Sequence, residues 1–387
     1  MTPAARAGAA VTILERILAG EAAEAALTRW ARASRYAGSG DRAAVRDLVY
    51  DALRRRRSRA ALGGALTGRG LILGLCREEG LDPDSLFGAG PHAPEPLTEA
   101  ERAAGRAPTP DEATDLPDWL LPALRASLGP RFEAVAAALR DRAPVWLRAN
   151  RLKAAPSAAL AALRAEGITA EPSAELPGAL RITEGARRLN GSAAYRDGLV
   201  ELQDLSPQLA VATLGPLDGL AALDFCAGGG GKTLALAAAG AARLVAHDAN
   251  PARMSGLRDR AARAGATVEI VQPGRIAGRF DLVVADVPCS GSGSWRRDPE
   301  GRWRLTPAQL EALLATQAAI LDEAAARLHP GGRLAYMTCS LLEAENAAQI
   351  DAFLSRRPDF RTEFTRLMTP LGESDGFYVA VLRQGSR

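Results

Sequence analysis

The fold is decided by residues 221–233, which read Ala221-Ala222-Leu223-Asp224-Phe225-Cys226-Ala227-Gly228-Gly229-Gly230-Gly231-Lys232-Thr233. The apolar residues up to position 225 predict a buried strand, and the residues from Lys232 onward predict a helix. Four consecutive glycines between them allow the backbone to approach a ligand closely. The free N–H groups of the following helix end suit an anionic or polar part of that ligand. We therefore expect a ligand-binding turn here.

The spacing of the glycines separates three classes of ligand-binding turn. A phosphate-binding P-loop needs a glycine five positions before Gly231, where Cys226 stands. A dinucleotide fingerprint that begins at Gly228 needs Gly or Ala at position 233, where Thr233 stands. The class that remains is the nucleoside-binding loop of methyltransferases.

The chain from residue 204 onward alternates predicted strands and helices. We expect strands at 221–225, 243–247, 267–271, 280–286 and 333–338, and helices at 232–240, 251–264, 307–328 and 342–355. This alternation predicts an open, mainly parallel sheet with helices on both faces. Ligands of such sheets bind beyond the carboxyl ends of the strands. Residues near 360–366 and 376–383 are expected to add an antiparallel hairpin at the edge.

Two other regions precede this sheet. Residues 1–142 predict an all-helical domain, in which residues 88–117 with their six prolines form a long loop. Residues 1–70 contain 13 Arg, no Lys and 6 acidic residues, a net charge of +7. A basic surface of this kind attracts phosphate backbones, although an ordinary solvated helix face has a similar composition. Residues 143–203 predict a small α/β subdomain, and residues 204–387 the catalytic domain.

Composition limits the class of protein. A chain of 387 residues with 47% apolar and 24% charged residues is globular and long enough for two or three domains. No apolar run reaches the roughly 18 residues that a membrane span needs. The four cysteines lack the spacing of a zinc site or a disulfide framework. We expect a reduced, cytoplasmic protein without a metal and without a membrane segment.

Acidic and thiol side chains follow three of the predicted strands. Asp248 comes directly after residues 243–247 and can accept the hydroxyls of a ribose; its alternative role is a helix cap, which Asn250 can supply instead. Asp286-Val287-Pro288-Cys289 ends the fourth strand, and Thr338-Cys339-Ser340 ends the fifth. A lone buried cysteine is usually inert, whereas two thiols at strand ends of one sheet indicate chemistry.

These motifs resemble those of the Fmu/Sun family of RNA 5-methylcytosine methyltransferases, the RsmB-like group. The resemblance rests on the glycine-rich loop with Lys232-Thr233, on residues 286–291 and on Thr338-Cys339-Ser340, with further matches at residues 147–153, 202–206 and 375–378. The helical N-terminus resembles the NusB-like RNA-binding domain of such proteins. The similarity covers nearly the whole chain and is weakest over residues 88–117.

The chain departs from the family pattern at two places. The family loop usually reads Cys-Ala-Ala-Pro-Gly-Gly-Lys-Thr, and here Gly228 and Gly229 replace Ala-Pro. The backbone role of the loop survives that change with more flexibility. The third strand of the family often ends in an Asp that contacts adenine, and here Val271-Gln272-Pro273 stands in that place. Gln272 is the candidate for the adenine contact.

The resemblance implies a Rossmann-like methyltransferase sheet that binds S-adenosyl-L-methionine, preceded by a NusB-like domain and a small α/β subdomain. It implies that the cofactor is held by Cys226, Ala227, Gly228, Gly229, Gly230, Gly231, Lys232, Asp248, Gln272 and Asp286. It implies an RNA partner, with small-subunit ribosomal RNA as the expected target and transfer RNA as the alternative. A monomer is expected.

The resemblance also assigns the chemistry to Cys339, Cys289, Asp286 and Lys232. A thiolate that adds to carbon 6 of cytosine turns carbon 5 into a nucleophile. The family places that thiolate in the Thr-Cys-Ser motif, hence Cys339, while Cys289 assists release of the enzyme. A carboxyl near ring nitrogen 3, Asp286, can share a proton. DNA cytosine-5 enzymes use a Pro-Cys thiol instead, which would favour Cys289.

Two roles and two other functions stay open on the sequence alone. Lys232 can lower the pKa of Cys339, orient the base or contact the carboxylate of the cofactor. Trp295-Arg296-Arg297 can stack on or clamp RNA. An RNA-binding assembly factor without catalysis and a small-molecule methyltransferase are the alternative functions; the intact cysteines count against the first, and the basic helical domain against the second.

Overall fold

The computed structural model describes residues 1–385, which form two compact units. The first unit contains Met1–Arg142 and, from much later in the chain, Trp295–Arg304. The second unit contains Ala143–Ser294 and Leu305–Arg387. Among residues 1–385, no helix combines the length and the apolarity that a bilayer crossing requires.

The first unit is helical. Its helices are α1 Pro3–Leu18, α2 Ala23–Ala33, α3 Ser39–Arg54, α4 Arg56–Gly63, α5 Gly68–Glu79, α6 Glu99–Ala103, α7 Pro110–Ala113, α8 Leu121–Leu128 and α9 Phe132–Leu139. Apolar side chains at helical spacing in α1, α3 and α5, among them Leu14, Val49 and Leu71, pack into one core. Residues 88–117, expected to be a loop, contain α6 and α7. Threonine capping boxes begin both of these short helices.

Two groups stand out among the 13 arginines of the first 70 residues. The arginines at Arg54–Arg59 form contacts mainly within the unit. Arg59 is buried and pairs with Asp51 and Glu78 at 2.6 and 2.8 Å. Arg57 likewise pairs with Asp118 at 2.6 Å. The exposed set lies on α2, on α3 and on the turn between them and comprises Arg32, Arg35, Arg42 and Arg46. The basic surface is therefore found around α2 and α3, and the dense Arg54–Arg59 cluster is structural.

The segment Trp295–Arg304, expected to belong to the catalytic domain, is part of the helical unit. Trp295 is 1% exposed, and the guanidinium of Arg302 lies 5.8 Å from the centre of its ring. Arg302, itself in the short helix α15 Gly301–Arg304, is buried and donates to backbone oxygens of Asp115 and Leu139. A buried indole cannot stack on a nucleic-acid base, so the expected RNA contact by Trp295 is wrong. The segment instead anchors the chain in the helical unit.

The second unit begins with a four-stranded antiparallel sheet. Its strands are β1 Val145–Ala149, β2 Thr169–Pro172, β3 Ala179–Glu184 and β4 Val200–Leu202, in the order β2-β3-β1-β4, with helices α10 Pro156–Ala165 and α11 Ala193–Arg196. This is the expected small α/β subdomain. The buried side-chain amide of Asn150 donates to the backbone oxygens of Gly198 and Ala264 and so joins it to the main sheet region.

The main sheet has seven strands in the order β10-β11-β9-β8-β5-β6-β7. They are β5 Ala221–Asp224, β6 Arg243–His247, β7 Glu269–Val271, β8 Phe280–Asp286, β9 Leu328–Thr338, β10 Phe360–Met368 and β11 Phe377–Gln384. β5 to β9 are parallel, and β10 and β11 form the antiparallel edge hairpin expected from the sequence. The Rossmann-like fold class is thereby confirmed.

The helices of this layer are α12 Leu205–Ala212, α13 Gly231–Ala238, α14 Leu257–Ala264, α16 Pro307–Ala325 and α17 Ala347–Arg356. Two of them differ from expectation. The predicted helix 251–264 is a 3₁₀ turn at Pro251–Met254 followed by α14, because Asn250 caps the turn. The predicted helix 342–355 begins only at Ala347, after a 3₁₀ turn at Glu343–Glu345 that has a function of its own, described below.

Candidate active site at the carboxyl ends of the parallel strands

β5 occupies the point at which the order of the sheet reverses. The chain passes from β5 to β6 and β7 on one side, and β8 and β9 lie on the other side. In parallel sheets the ligand site lies beyond the carboxyl ends of the strands at such a reversal. Asp286 ends β8 and Gln272 follows β7, and the other site residues expected from the sequence lie in the loops after β5, β6, β8 and β9 or in the first turn of α13.

The glycine-rich loop after β5 is a tight turn. Gly228 and Gly230 have φ angles of +51° and +85°, which side chains with a Cβ rarely adopt. A Cβ on Gly230 would also lie 2.1 Å from Leu257 Cδ1. Ala227 fixes the loop to β6 by donating its N–H to the backbone oxygen of His247 at 2.8 Å. The loop then opens into α13, whose free N–H groups begin at Gly231.

Asp248 lies at the side of this loop and is 3% exposed. Its carboxylate accepts the backbone N–H of Gly228 and of Asn250, each at 2.9 Å, and pairs with Arg253 at 3.2 Å. Asn250 caps the following turn, so Asp248 is not the cap. A carboxylate has about four acceptor positions, which leaves room for one ribose hydroxyl, or for two when the half-exposed Arg253 moves away.

An acid at the end of β5 and a thiol in the loop are both affected by burial. Asp224 is fully buried, accepts the Thr233 hydroxyl at 2.6 Å, and has one carboxylate oxygen without a hydrogen-bond partner among residues 1–385. Burial raises the pKa of Asp224 to about 6, although the Thr233 hydrogen bond acts in the opposite direction. Burial also raises the pKa of Cys226 strongly. Cys226 is therefore a neutral thiol at neutral pH and contributes shape to the loop rather than charge.

The two cysteines after β8 and β9 lie side by side. These strands are neighbours, with Asp286 paired to Met337 in the register. The Sγ atoms of Cys289 and Cys339 are 3.3 Å apart, which is hydrogen-bond distance for thiols, and both cysteines are free. Neither is fully buried. The structure therefore brings together the two thiols that the sequence places 50 residues apart.

The two thiols have opposite acidities. The hydrogen bond from Cys289 lowers the pKa of Cys339, and Lys232 and Ser294 add to this effect, whereas burial and the charge of Asp286 oppose it. The hydrogen bond to Cys339, burial and the charges of Cys339 and Glu345 raise the pKa of Cys289 far above its usual range. Cys339 is therefore the more acidic thiol of the pair, and Cys289 holds its proton more tightly.

Lys232 connects the glycine-rich loop to the cysteine pair. Its ammonium lies 2.6 Å from Asp286 Oδ2 and 5.2 Å from the ring centre of Phe377. Burial acts to lower the pKa of Lys232, but the charge and hydrogen bond of Asp286, with smaller effects of Cys339 and Asp224, raise it. The side chain therefore carries a positive charge that acts on Cys339.

Four polar residues beneath the cysteines were not predicted from the sequence. Glu345 is fully buried and accepts the backbone N–H of Ser290 at 2.7 Å. It also accepts the hydroxyls of Ser290 and Ser340 and the side-chain amide of Gln317. The signal that could have revealed the network is the repeated Cys-Ser pair, which places a hydroxyl directly after each thiol.

Gln272 and His247 lie at the ends of β7 and β6, away from the loops that carry the cysteines. Gln272 is exposed and directly follows β7, so it lies at the carboxyl ends of the parallel strands, as the other site residues do. His247 is buried, and its Nδ1 lies 2.8 Å from the backbone oxygen of Phe225, which agrees with a packed strand residue. Within residues 1–385, no three His, Cys, Asp or Glu side chains are grouped so that they could hold a metal ion.

The role of Lys232 can be tested on the protein without substrate. In Lys232→Met, the positive charge beside Cys339 is lost and Asp286 remains, so the pKa of Cys339 should rise. A rise of about one unit makes the thiolate fraction about tenfold smaller below that pKa. The rate of Cys339 alkylation by iodoacetamide at neutral pH, followed by peptide mass spectrometry, should fall accordingly.

The chain offers a matched control, because Lys153 is its only other lysine. Lys153 donates to the backbone oxygen of Asp197 and lies outside the cysteine site. Lys153→Met should leave the alkylation profile unchanged. Equal rates for the wild type and Lys232→Met would contradict the electrostatic role.

Comparison with known proteins places this site in a family. Residues 211–383 match the family described as 16S rRNA methyltransferase RsmB/F, and residues 116–187 match its ferredoxin-like domain. Ribosomal RNA small subunit methyltransferase B of Citrobacter koseri is 36% identical over 282 residues, and that of Shigella flexneri is 35% identical over 284 residues. Each alignment covers 69% of this chain and 66% of the relative, slightly under two thirds of its length.

Solved structures share the fold at lower identity. The crystal structure of PH0851 superposes with a TM-score of 0.75 at 23% identity and covers 99% of both chains. NSun6 from Pyrococcus horikoshii, solved with an S-adenosylmethionine analogue, has a TM-score of 0.63 at 18% identity and covers 70% of this chain and 99% of its own. The sequence matches and the fold agree, and the chain belongs to the RsmB/F family of methyltransferases.

Proposed function

We propose that this protein transfers a methyl group from S-adenosyl-L-methionine to carbon 5 of a cytosine in small-subunit ribosomal RNA through a covalent adduct with Cys339. The observation that carries the proposal is the thiol pair, with Sγ atoms 3.3 Å apart after neighbouring strands. The hydrogen bond from Cys289 lowers the pKa of Cys339, which supports it. The curated relatives are small-subunit ribosomal RNA methyltransferases, which supports the choice of substrate.

The cofactor fits the loops after β5 and β6. The positive φ angles of Gly228 and Gly230 shape a cradle that a side chain would obstruct. Asp248 has acceptor positions left for ribose hydroxyls, and we assign the exposed Gln272 to the adenine contact. When bound, S-adenosyl-L-methionine supplies a methyl group on a sulfonium. Asp286, three residues before Cys289, lies at the side of this cradle and faces the cysteine pair through Lys232.

The protein groups have distinct roles toward the cytosine. Cys339 adds as a thiolate to carbon 6, and the electron pair of the carbon 5–carbon 6 double bond moves toward ring nitrogen 3. The ion pair of Lys232 and Asp286, 2.6 Å apart, can supply a proton to ring nitrogen 3 as charge develops there and takes it back when carbon 5 bonds to the methyl group. Once Cys339 is bonded to carbon 6, its hydrogen bond and charge no longer raise the pKa of Cys289, so Cys289 can lose its proton to solvent and take the carbon 5 proton after carbon 5 has gained the methyl group. The carbon 6–sulfur bond then breaks, and the electron pair returns to Cys339.

The acidities of the two thiols support Cys339 as the nucleophile. The nucleophile must be a thiolate when the base arrives, and the lowered pKa belongs to Cys339. Cys289 retains its proton in the resting pair and suits a role late in the cycle. The arrangement therefore favours Cys339 over the Pro-Cys thiol that DNA cytosine-5 enzymes use.

Replacement of each cysteine should cause a different failure. Cys339→Ala should abolish methyl transfer to RNA and form no covalent complex, because carbon 5 is never activated. Cys289→Ala should methylate once and then retain the RNA, because removal of the carbon 5 proton is slowed. Denaturing electrophoresis with labelled RNA should show this adduct only when S-adenosyl-L-methionine is present.

Interchanged results, with the adduct in Cys339→Ala, would assign the nucleophile to Cys289. Full activity in both variants would contradict the covalent mechanism. Cys76, buried in the helical core, offers the matched control, because Cys76→Ala removes a thiol far from these loops in the chain. That variant should retain methyl transfer.

RNA binding is proposed for the exposed arginines on α2, on α3 and on the turn between them. Arg32, Arg35, Arg42 and Arg46 are exposed, and Tyr36, at 68% exposure, lies among them with its ring near that of His92. Cations that bind phosphates release counterions, and an exposed aromatic ring can stack on a base. This surface replaces the buried Trp295 as the candidate RNA-binding surface of the helical unit.

A triple variant tests this surface. Arg32, Arg35 and Arg42 changed together to Ala should weaken RNA binding and reduce the slope of log affinity against log salt by roughly 0.7 for each phosphate that the variant no longer neutralises. Fluorescence anisotropy at several salt concentrations measures both. A triple change of equal charge, at Arg356, Arg361 and Arg366, is the control. Equal slopes for the two variants would show that α2 and α3 do not bind RNA.

A further inference from the structure

One buried carboxylate contacts both of the loops that carry the cysteines. Glu345 Oε1 accepts the backbone N–H of Ser290 at 2.7 Å, and Oε2 accepts the hydroxyls of Ser290 and Ser340. The side-chain amide of Gln317, in α16, donates to Oε1 at 3.0 Å. Ser290 directly follows Cys289, and Ser340 directly follows Cys339. A single side chain thus joins the neighbours of both thiols.

Further bonds fix the register of the two loops around this carboxylate. Ser292 Oγ accepts the N–H of Leu341 at 2.8 Å, and Gly293 donates its N–H to the backbone oxygen of Cys339 at 2.9 Å. The Tyr336 hydroxyl donates to the backbone oxygen of Glu345 at 2.6 Å and so positions the carboxylate itself. The Glu345 carboxylate is fully buried, and among residues 1–385 its donors are the N–H of Ser290, the hydroxyls of Ser290 and Ser340 and the side-chain amide of Gln317.

We propose that Glu345 is a positioning residue of the methyl-transfer site, which holds the Cys289 thiol against Cys339 and whose charge keeps the shared proton on Cys289. This inference rests on the proposed covalent function. Glu345 acts through Ser290 and Ser340 and not by contact with the substrate.

The charge of Glu345 supports the second half of the proposal. It is one of the groups that raise the pKa of Cys289, after the hydrogen bond to Cys339, burial and the charge of Cys339. The other titratable groups around the thiol pair are Asp286, Lys232 and Tyr336. Gln has nearly the shape of Glu and retains an acceptor oxygen, but it lacks the charge. Glu345→Gln therefore separates the electrostatic part of the role from the packing.

The experiment compares full-length wild type, Glu345→Gln and Glu343→Gln. Glu343 lies in the same 3₁₀ turn but is exposed, which makes it the matched control. Iodoacetamide alkylation of Cys339 and of Cys289 is measured across pH by peptide mass spectrometry without RNA. In the wild type, Cys339 should react at lower pH than Cys289. In Glu345→Gln, the ratio of alkylation at Cys339 to that at Cys289 should fall about tenfold, corresponding to about one pKa unit.

Steady-state methyl transfer gives the second readout. In Glu345→Gln, kcat should fall about tenfold while KM for S-adenosyl-L-methionine stays constant, because the cofactor loops are untouched. Glu343→Gln should match the wild type in both assays. An unchanged alkylation ratio and kcat in a folded Glu345→Gln protein would overturn the positioning role.

Two further variants decide the question if Glu345→Gln does not fold, as judged by circular dichroism. Ser290→Ala and Ser340→Ala each remove one hydroxyl from the carboxylate, and each should lower the alkylation ratio. A wild-type ratio in both would overturn the proposal. The alkylation assay needs no RNA, so it reports on Glu345 even if the protein has no activity on RNA. If the wild type methylates RNA and Glu345→Gln is unaffected in both assays, the positioning role of Glu345 fails while the proposed function stands.

Discussion

The site depends on the hydrogen bond between two thiols at the ends of neighbouring parallel strands. Cys289 and Cys339 cannot both lose their protons at 3.3 Å separation without strong repulsion, so the pair retains one proton. Which sulfur holds that proton is set by the surroundings. The positive charge of Lys232 helps to lower the pKa of Cys339, and the charge of Glu345 helps to raise the pKa of Cys289. In the proposed mechanism this asymmetry makes Cys339 the nucleophile and Cys289 the proton carrier.

The sheet supplies the precision that this arrangement needs. β8 and β9 are adjacent and in fixed register, so the loops that follow them start from defined points. β5 lies beside β8, and Lys232 from the loop after β5 reaches Asp286 at the end of β8. The loop that would hold the cofactor and the loop that holds the thiols therefore meet through one ion pair. An ion pair of this kind couples the orientation of both loops, because moving either one separates the charges.

Local sequence patterns were sufficient for the parallel sheet and for most of the site. The four glycines, the acid after β6 and the cysteines after β8 and β9 are each placed by their position directly after a strand, and the structure confirms those positions. Three features could not be predicted from local sequence patterns. Glu345 lies in a turn that the apolar pattern merged with α17, and its partners are distant in sequence. Trp295 is buried by helices more than 150 residues earlier in the chain. The pairing of Arg59 with Glu78 depends on how two helices pack, which composition does not reveal.

The most direct test of the central claim is the identity of the methylated nucleoside. Small-subunit ribosomal RNA that lacks the modification is incubated with the full-length protein and S-adenosyl-L-methionine carrying a labelled methyl group. The RNA is then digested to nucleosides and separated by chromatography with mass detection. The account predicts that the label appears in 5-methylcytidine, and that it is absent when Cys339→Ala replaces the wild type. Label in another nucleoside, or equal label with Cys339→Ala, would contradict it.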